Sequence, residues 1–311
     1  KTSAGMMDCK KALTECSGDI NSAVDWLRKK GLASASKKSG RISAEGLIGV
    51  FTDGNKGSII EVNSETDFVA RNTEFQEFVY NLAKVSLSLN VDIKLLPSKP
   101  YPNSEKNIDE VLKEKIAKIG ENLIIRRSDF LEVSNGIIAS YIHNSQTKYL
   151  GKIGVLIAIE STASQEKLLP VGKKIAMHVA AASPASVNIS DLSQDLVDRE
   201  RKVLIDQAIS SGKPEEIAKK MVEGRLRKFY SEVVLMEQIF VVDGETKVSD
   251  IISKYSKELN AEIKIKSFVR YNIGEGVDKE NKNFADEVAE QLKNWLSNFY
   301  CPLFKRILNV W

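Results

Sequence analysis

Any chemistry in this chain has to start from two histidines, three cysteines and the carboxylates near them. His143 and His178 have no cysteine or second histidine at metal-ligand spacing, so no zinc site is expected. Cys9 and Cys16 fall one heptad apart on one helix face. With Cys301 they make neither a CxxC pair nor an even disulfide framework, which is the usage of a reducing compartment. The chain contains no GxSxG, HExxH or GxxxxGK[ST] string. Gly274-Glu275-Gly276 is a lone glycine pair behind a strand, which makes a turn and not a dinucleotide site. No base, nucleophile and orienting group can be assembled. The chain reads as a binding protein with no catalytic residue, no resident metal and no cofactor.

The most informative residues are Thr66-Asp67-Phe68-Val69, between an apolar strand ending near Val62-Asn63 and a helix carrying Phe75, Phe78, Val79 and Leu82. Two readings fit this pattern. Thr66 or Asp67 caps the helix while Phe68 staples it to the core, or the turn projects the acid as a charge and the ring as an apolar wedge. His178 has two readings as well. In Ile175-Ala176-Met177-His178-Val179-Ala180-Ala181 it is either a satisfied, half-buried side chain or a contact residue whose small neighbours let a partner approach.

Composition narrows the class. At 311 residues the chain has room for more than one core, and 42% hydrophobic with 28% charged residues is ordinary for a globular protein. Its 45 basic and 42 acidic side chains leave +3, too balanced for a protein that lives on nucleic-acid backbone. No apolar run reaches the length of a membrane span, and no signal peptide opens the chain. The chain opens on Lys1, and a further helix is expected upstream.

The elements that must position these residues follow from periodicity. Met6, Cys9, Leu13 and Cys16 make one helical stripe. Ile20, Ala23, Val24 and Leu27 make another, with Asp19 as N-cap and Gly31 as stop. Residues 34–44 are Ser/Lys/Gly-rich and read as a flexible linker. A duplication follows. Strands at 47–51 and 58–62 with a helix at 72–85 are echoed by strands at 137–142 and 153–159 with a helix at 169–182. Gly57 and Gly154 sit at matching strand starts. Hairpins with a helix on one face indicate α+β. Between the copies lie a Pro-rich loop and a helix closed by Gly120. An antiparallel helical hairpin is expected over 195–234, broken at Ser210-Ser211-Gly212-Lys213-Pro214. A strand at 239–242, a helix through Val248–Leu259 and an alternating strand over 263–273 complete the body, and the last helix runs into an aromatic tail after Leu292. The expected domains are a helical module over 1–33, a linker over 34–44, core subdomains over 45–135 and 136–273, and a C-terminal module over 274–311.

Several of these strings together resemble the elongation factor Ts family. They are Ser3-Ala4-Gly5-Met6-Met7-Asp8-Cys9-Lys10-Lys11-Ala12-Leu13, Gly18-Asp19-Ile20, Thr66-Asp67-Phe68-Val69-Ala70, Lys118-Ile119-Gly120-Glu121-Asn122, the His178 helix, Gly212-Lys213-Pro214, Met221-Val222-Glu223-Gly224-Arg225 and Gly274-Glu275-Gly276. The resemblance covers the chain to about Leu292; the tail departs from the pattern. It implies a UBA-like N-terminal module, a duplicated core, a protruding helical hairpin and a C-terminal helix. It also implies guanine nucleotide exchange on the GTPase elongation factor Tu in the cytoplasm of a bacterium, an organellar matrix being the other setting. By the same resemblance, Asp67 and Phe68, flanked by Thr66 and Val69, enter the GTPase near its magnesium site. Ile153, Gly154 and His178 then belong to the core contact, and Met6, Met7 and Lys10 to the module's contact surface. The alternatives from the residues are a nucleic-acid or ribosome binder using the 34–43 stretch and the hairpin, and a small-molecule enzyme using His178.

Overall fold

The computed structural model describes residues 5–90, 92–210 and 215–277. Nearly all fall in one compact unit, Lys1–Glu275; the aromatic tail and the expected C-terminal helix lie outside the described residues. In chain order the elements are α1 (Met6–Glu15), α2 (Ile20–Lys38), β1 (Glu45–Asp53), β2 (Lys56–Ser64), α3 (Thr73–Leu89), α4 (Ile108–Ile119), β3 (Ile124–Glu132), β4 (Gly136–His143), β5 (Leu150–Gly151), β6 (Ile153–Ser161), α5 (Gln165–Ala182), α6 (Gln194–Ser210), α7 (Glu215–Val233), α8 (Val248–Leu259) and β7 (Ile263–Asn272).

The fold is α+β. One antiparallel sheet has the order β3-β2-β1-β5 and the other β4-β6-β7. α3 lies on the first sheet, where Phe75, Phe78, Val79 and Leu82 meet Leu47, Ile60 and Val62. α5 lies on the second, where Leu168, Ile175 and Val179 meet Ala139, Ile157 and Ile159. A third cluster joins the inner faces, Ile48, Val50 and Ile59 against Ile138, Leu156 and Ala158. Each sheet is therefore covered on both sides. This explains why β2 and β6 are buried along almost their whole length and do not alternate, as antiparallel strands with one wet face do.

The paired glycines serve this contact. A methyl carbon on Gly57 would lie 2.5 Å from Ile138 Cγ2, and one on Gly154 would lie 2.5 Å from Ile48 Cγ2. Each glycine makes room for an isoleucine of the opposite sheet. Both outer strands also carry a bulge. The β2–β3 register shifts between Glu61 and Val62, and the β6–β7 register between Ala158 and Ile159.

Three local expectations are corrected. Gly31 does not end the second helix: α2 runs on to Lys38, so the flexible stretch contracts to residues 39–44. A methyl carbon on Gly31 would sit 3.5 Å from Ala117 Cβ of α4, so the glycine serves close helix approach and tertiary packing carries the helix past it. The α1 stripe is not a buried face either. Ala12 is buried, Cys9 and Cys16 are half-buried, and Met6 and Leu13 are exposed. Residues 239–242 form no strand, only a single bridge from Ile239 to Lys247 after a 3-10 turn, because the chain must reverse there to reach α8.

Candidate functional site: an exposed acid–aromatic turn

β2 ends at Ser64, and eight residues separate it from α3. Asn72 caps that helix, its side-chain oxygen accepting the amide protons of Glu74 and Phe75 at 2.9 and 3.2 Å. Neither Thr66 nor Asp67 is the cap. Phe68 is no staple, since its residue is 73% exposed. The ring forgoes the roughly 1.5–3 kcal/mol that burial would contribute. A local reading cannot account for it.

The connection is nonetheless stiff. Thr66 donates both its amide and its hydroxyl to the Glu121 carboxylate, at 2.9 and 2.6 Å, one oxygen for each. Glu65 reciprocates by accepting the Asn122 amide at 2.6 Å, with Arg41 3.4 Å away. The buried Asn122 side chain donates to Arg41 O at 2.9 Å. On the far side, Val69 and Ala70 are buried in the α3 core and start a 3-10 turn, with Ala70 N–H bonded to Asp67 O and Arg71 N–H to Phe68 O. Asp67 and Phe68 thus stand out between two anchors. Arg71 lies 4.0 Å from the half-exposed Asp67 carboxylate, an ion pair weakened by solvent. Val69, expected as a flanking contact, is core; it holds the turn from below.

The other expected site residues are on separate elements. Met6 and Met7 are 86% and 74% exposed, beside exposed Lys10 on α1. At the start of β6, Ile153 is half-buried against the cluster between the second sheet and α5, and Gly154 is buried facing Ile48 of the first sheet. His178 is fully buried, not half-buried. Its Nδ1 accepts the Val241 amide at 3.2 Å, so Nε2 carries the proton that goes to Gln238 Oε1 at 2.9 Å. Burial pulls its pKa below the ordinary 6.5, only partly opposed by the bond to Gln238. The imidazole is a neutral clip between α5 and the loop after α7.

A second polar cluster, not expected from the sequence, ties the two sheets together. Glu61 is fully buried, and its carboxylate accepts from Arg126, Arg127 and the amide of Gly274. The bulge in β3 turns both arginines to the same side. Tyr271 stacks on Arg127 and donates to Asp129 at 2.6 Å; burial, first, and that bond keep its phenol protonated. Gly274 has φ +69, and a methyl carbon there would strike Ala44 O at 2.1 Å, so Gly274-Glu275-Gly276 is indeed a turn. Among the described residues no cluster of His, Cys, Asp or Glu could hold a metal, and no helix is long and apolar enough to cross a membrane.

The geometry defines a class: an antiparallel α+β protein whose outstanding surface feature is a stiff acid–aromatic turn. Comparison with known proteins gives the family. The model described as "Elongation factor TS" matches residues 65–275. The elongation factor Ts of Rhodospirillum centenum is 54% identical over 289 residues, 93% of this chain and 94% of its own. That of Rhodospirillum rubrum is 54% identical over 294 residues, covering 94% and 95%, and that of Rickettsia bellii 51% over 294, covering 94% of each. The chain belongs to the elongation factor Ts family, and with it to the translation elongation factors of the guanine nucleotide exchange type.

Sequence reasoning found Asp67 and Phe68 but assigned no role to Glu65, Glu121 or Asn122. The signal was present in Gly120-Glu121-Asn122, a left-handed helix end followed at once by two polar residues, one of them buried.

Proposed function

We propose that this protein binds elongation factor Tu carrying GDP and speeds GDP release by displacing the elements that hold Mg²⁺. The observation that carries the reading is the exposed Phe68 ring on a turn anchored at both ends. In GTPases the ion bridges phosphate oxygens to the protein, so nucleotide and metal hold each other in place. Phe68 enters an apolar slot beside the metal site while Asp67 perturbs the polar groups around the ion. Thr66 and Val69 are the anchors of that lever and not its contacts. The exchange factor itself holds neither nucleotide nor metal, and meets nucleic acid only through its partner. Bacterial relatives agree with action in the cytoplasm.

Magnitudes decide how much the wedge can do. One phenylalanine gives roughly 1.5–3 kcal/mol on burial, whereas moving a two-state equilibrium 10⁴-fold takes about 5.5 kcal/mol. The remainder has to come from other contacts, for which Met6, Met7 and Lys10 on α1 and the second sheet around Ile153 and Gly154 are the candidates. His178 contributes through the loop it holds. Reciprocity follows: nucleotide weakens factor binding by the same factor as the protein weakens nucleotide binding.

The test is Phe68→Ala, read by stopped-flow release of labelled GDP and by calorimetry of the complex. The expected result is a fall in stimulated release of roughly tenfold or more, the equivalent of losing one buried ring, with a much smaller loss of affinity. Equal losses in both would sink the wedge. Steeply salt-dependent binding of tRNA without the GTPase would favour the nucleic-acid reading.

A further inference from the structure

We infer that Glu121 is a positioning residue for nucleotide exchange: it pre-sets the Asp67-Phe68 turn by holding Thr66 through both carboxylate oxygens. The inference rests on the proposed function and adds a residue to its machinery. Glu121 lies outside the turn, 55 residues along the chain, and reaches it because α4 ends there. Gly120 takes φ +89, which swings the chain off the helix and sends Glu121 and Asn122 toward residues 65 and 66. The two segments are then cross-braced, Glu121 on Thr66 and Glu65 on the Asn122 amide.

The placement runs against simple electrostatics. Both carboxylates lie at the C-terminal end of α4, where the helix dipole and the free carbonyls disfavour negative charge. Lysine or arginine is the stabilising choice at such a position. Two acids there are explained by what they grip. A charge-assisted bond to the amide and hydroxyl of Thr66 fixes the residue immediately before the acid–aromatic pair. An exposed ring has no packing of its own to fix its direction, so the direction of Phe68 is set by its backbone. With the far end fixed by Val69 and Ala70, Glu121 removes the remaining freedom before any partner arrives. On the proposed function the ring is fully inserted only as nucleotide leaves, so the ordering cost that Glu121 removes falls on the release step and not on docking.

The same helix carries a second load. α2 packs along α4 at Gly31 and Ala117, and Arg28 pairs with Glu110. The N-terminal helices and the turn therefore share one strut, with Glu121 at its end.

The experiment compares Glu121→Gln, Thr66→Val and Thr66→Ser in the full chain. Glu121→Gln keeps the shape and turns one acceptor into a donor facing Thr66. Thr66→Val removes the hydroxyl alone, and Thr66→Ser restores it. In the free protein, amide exchange of Thr66, Ala70 and Arg71 is expected to quicken about tenfold in Glu121→Gln, the factor for one charge-assisted bond, while the amides of α3 and the melting temperature hold. With the GTPase, the maximal rate of GDP release falls about tenfold while the half-saturating concentration stays near wild type. Thr66→Val falls less, Thr66→Ser recovers, and the double variant Glu121→Gln/Thr66→Val is no worse than Glu121→Gln alone. Should Glu121→Gln fail to fold, Thr66→Val against Thr66→Ser decides the matter by the same two measurements. Unchanged amide exchange overturns the inference, and so does faster amide exchange with wild-type GDP release. A Phe68→Ala protein with undiminished release would overturn the underlying function instead.

Discussion

The two halves of the core are built alike and differ at the proposed site. Each has a hairpin, a helix on its outer face that ends in a left-handed residue (Asn90, φ 43; Ser183, φ 49), and a third strand paired across a bulge. Each has one glycine that admits an isoleucine of the other half. The strand-to-helix connection breaks the likeness. In the second half β6 ends at Ser161 and α5 begins at Gln165; in the first, β2 ends at Ser64 and α3 begins at Thr73. The extra length is the turn that carries Asp67 and Phe68. The repeated frame supplies rigidity, and the one lengthened loop is free to carry a site. The bulges diverge as well. Opposite the first stands buried Glu61 with two arginines, whereas the corresponding residue of β6 is Ala158, and Lys266 reaches outward to Glu160.

That contrast predicts where a substitution does most harm. Glu61→Ala takes from Arg126 and Arg127 the buried carboxylate they share, leaving them Glu275, and leaves the Gly274 amide without its acceptor. Three charge-assisted bonds go at once, but both arginines are partly exposed and keep bonds to Glu275, so the cost is about 2–4 kcal/mol, measurable as a lower urea midpoint. Ala158→Ser at the matching position should cost much less, and equal losses would mean that the halves do not differ as described. Next come the glycines. Gly57→Ala and Gly154→Ala each force an overlap with an opposing isoleucine at 2.5 Å, and overpacking of that size costs about 1–3 kcal/mol. Because the contacts are reciprocal, the two losses should be similar; a neutral result at either site would show that the sheets part there without cost.

The duplication was legible because β1, β2, β4 and β6 are short apolar runs closed by turn residues, and α3 and α5 keep helical spacing on their buried faces. β3 was not: Ile-Ile-Arg-Arg-Ser-Asp-Phe-Leu-Glu neither alternates nor forms an apolar run, since its bulge and two inward arginines break the period. The course of α2 past Gly31 depends on Ala117, 86 residues away, which no local pattern contains. Phe68 was found as a candidate from residue type and place. Its exposure was one of two readings the local pattern left open, since an aromatic before a helix usually packs down; the family resemblance, not the spacing, favoured the exposed one. Glu121 escaped for a related reason: Gly120-Glu121-Asn122 marks a helix end followed by polar residues, but nothing in it names a partner 55 residues distant.

The smallest expected effect concerns the second half's own polar anchor. His178 is neutral in the folded protein, one nitrogen accepting from Val241 and the other donating to Gln238, and burial lowers its pKa from 6.5. Below pH 6.5 the unfolded chain therefore binds a proton that the folded protein resists, so its contribution to stability is complete above 6.5 and is lost as pH falls from there toward the folded-state pKa. His178→Asn removes that slope, which chemical denaturation at pH 7.5 and pH 5.5 would show as a smaller difference than in the parent. Gln238→Glu sharpens the test. A carboxylate beside the ring favours the imidazolium and lifts the folded pKa, so acid destabilisation should shrink without loss of the imidazole. An undiminished acid loss in both variants would place the titration elsewhere and leave His178 as packing alone, with the exposed aliphatic Ile239, Val241 and Val242 held by the backbone of their own loop.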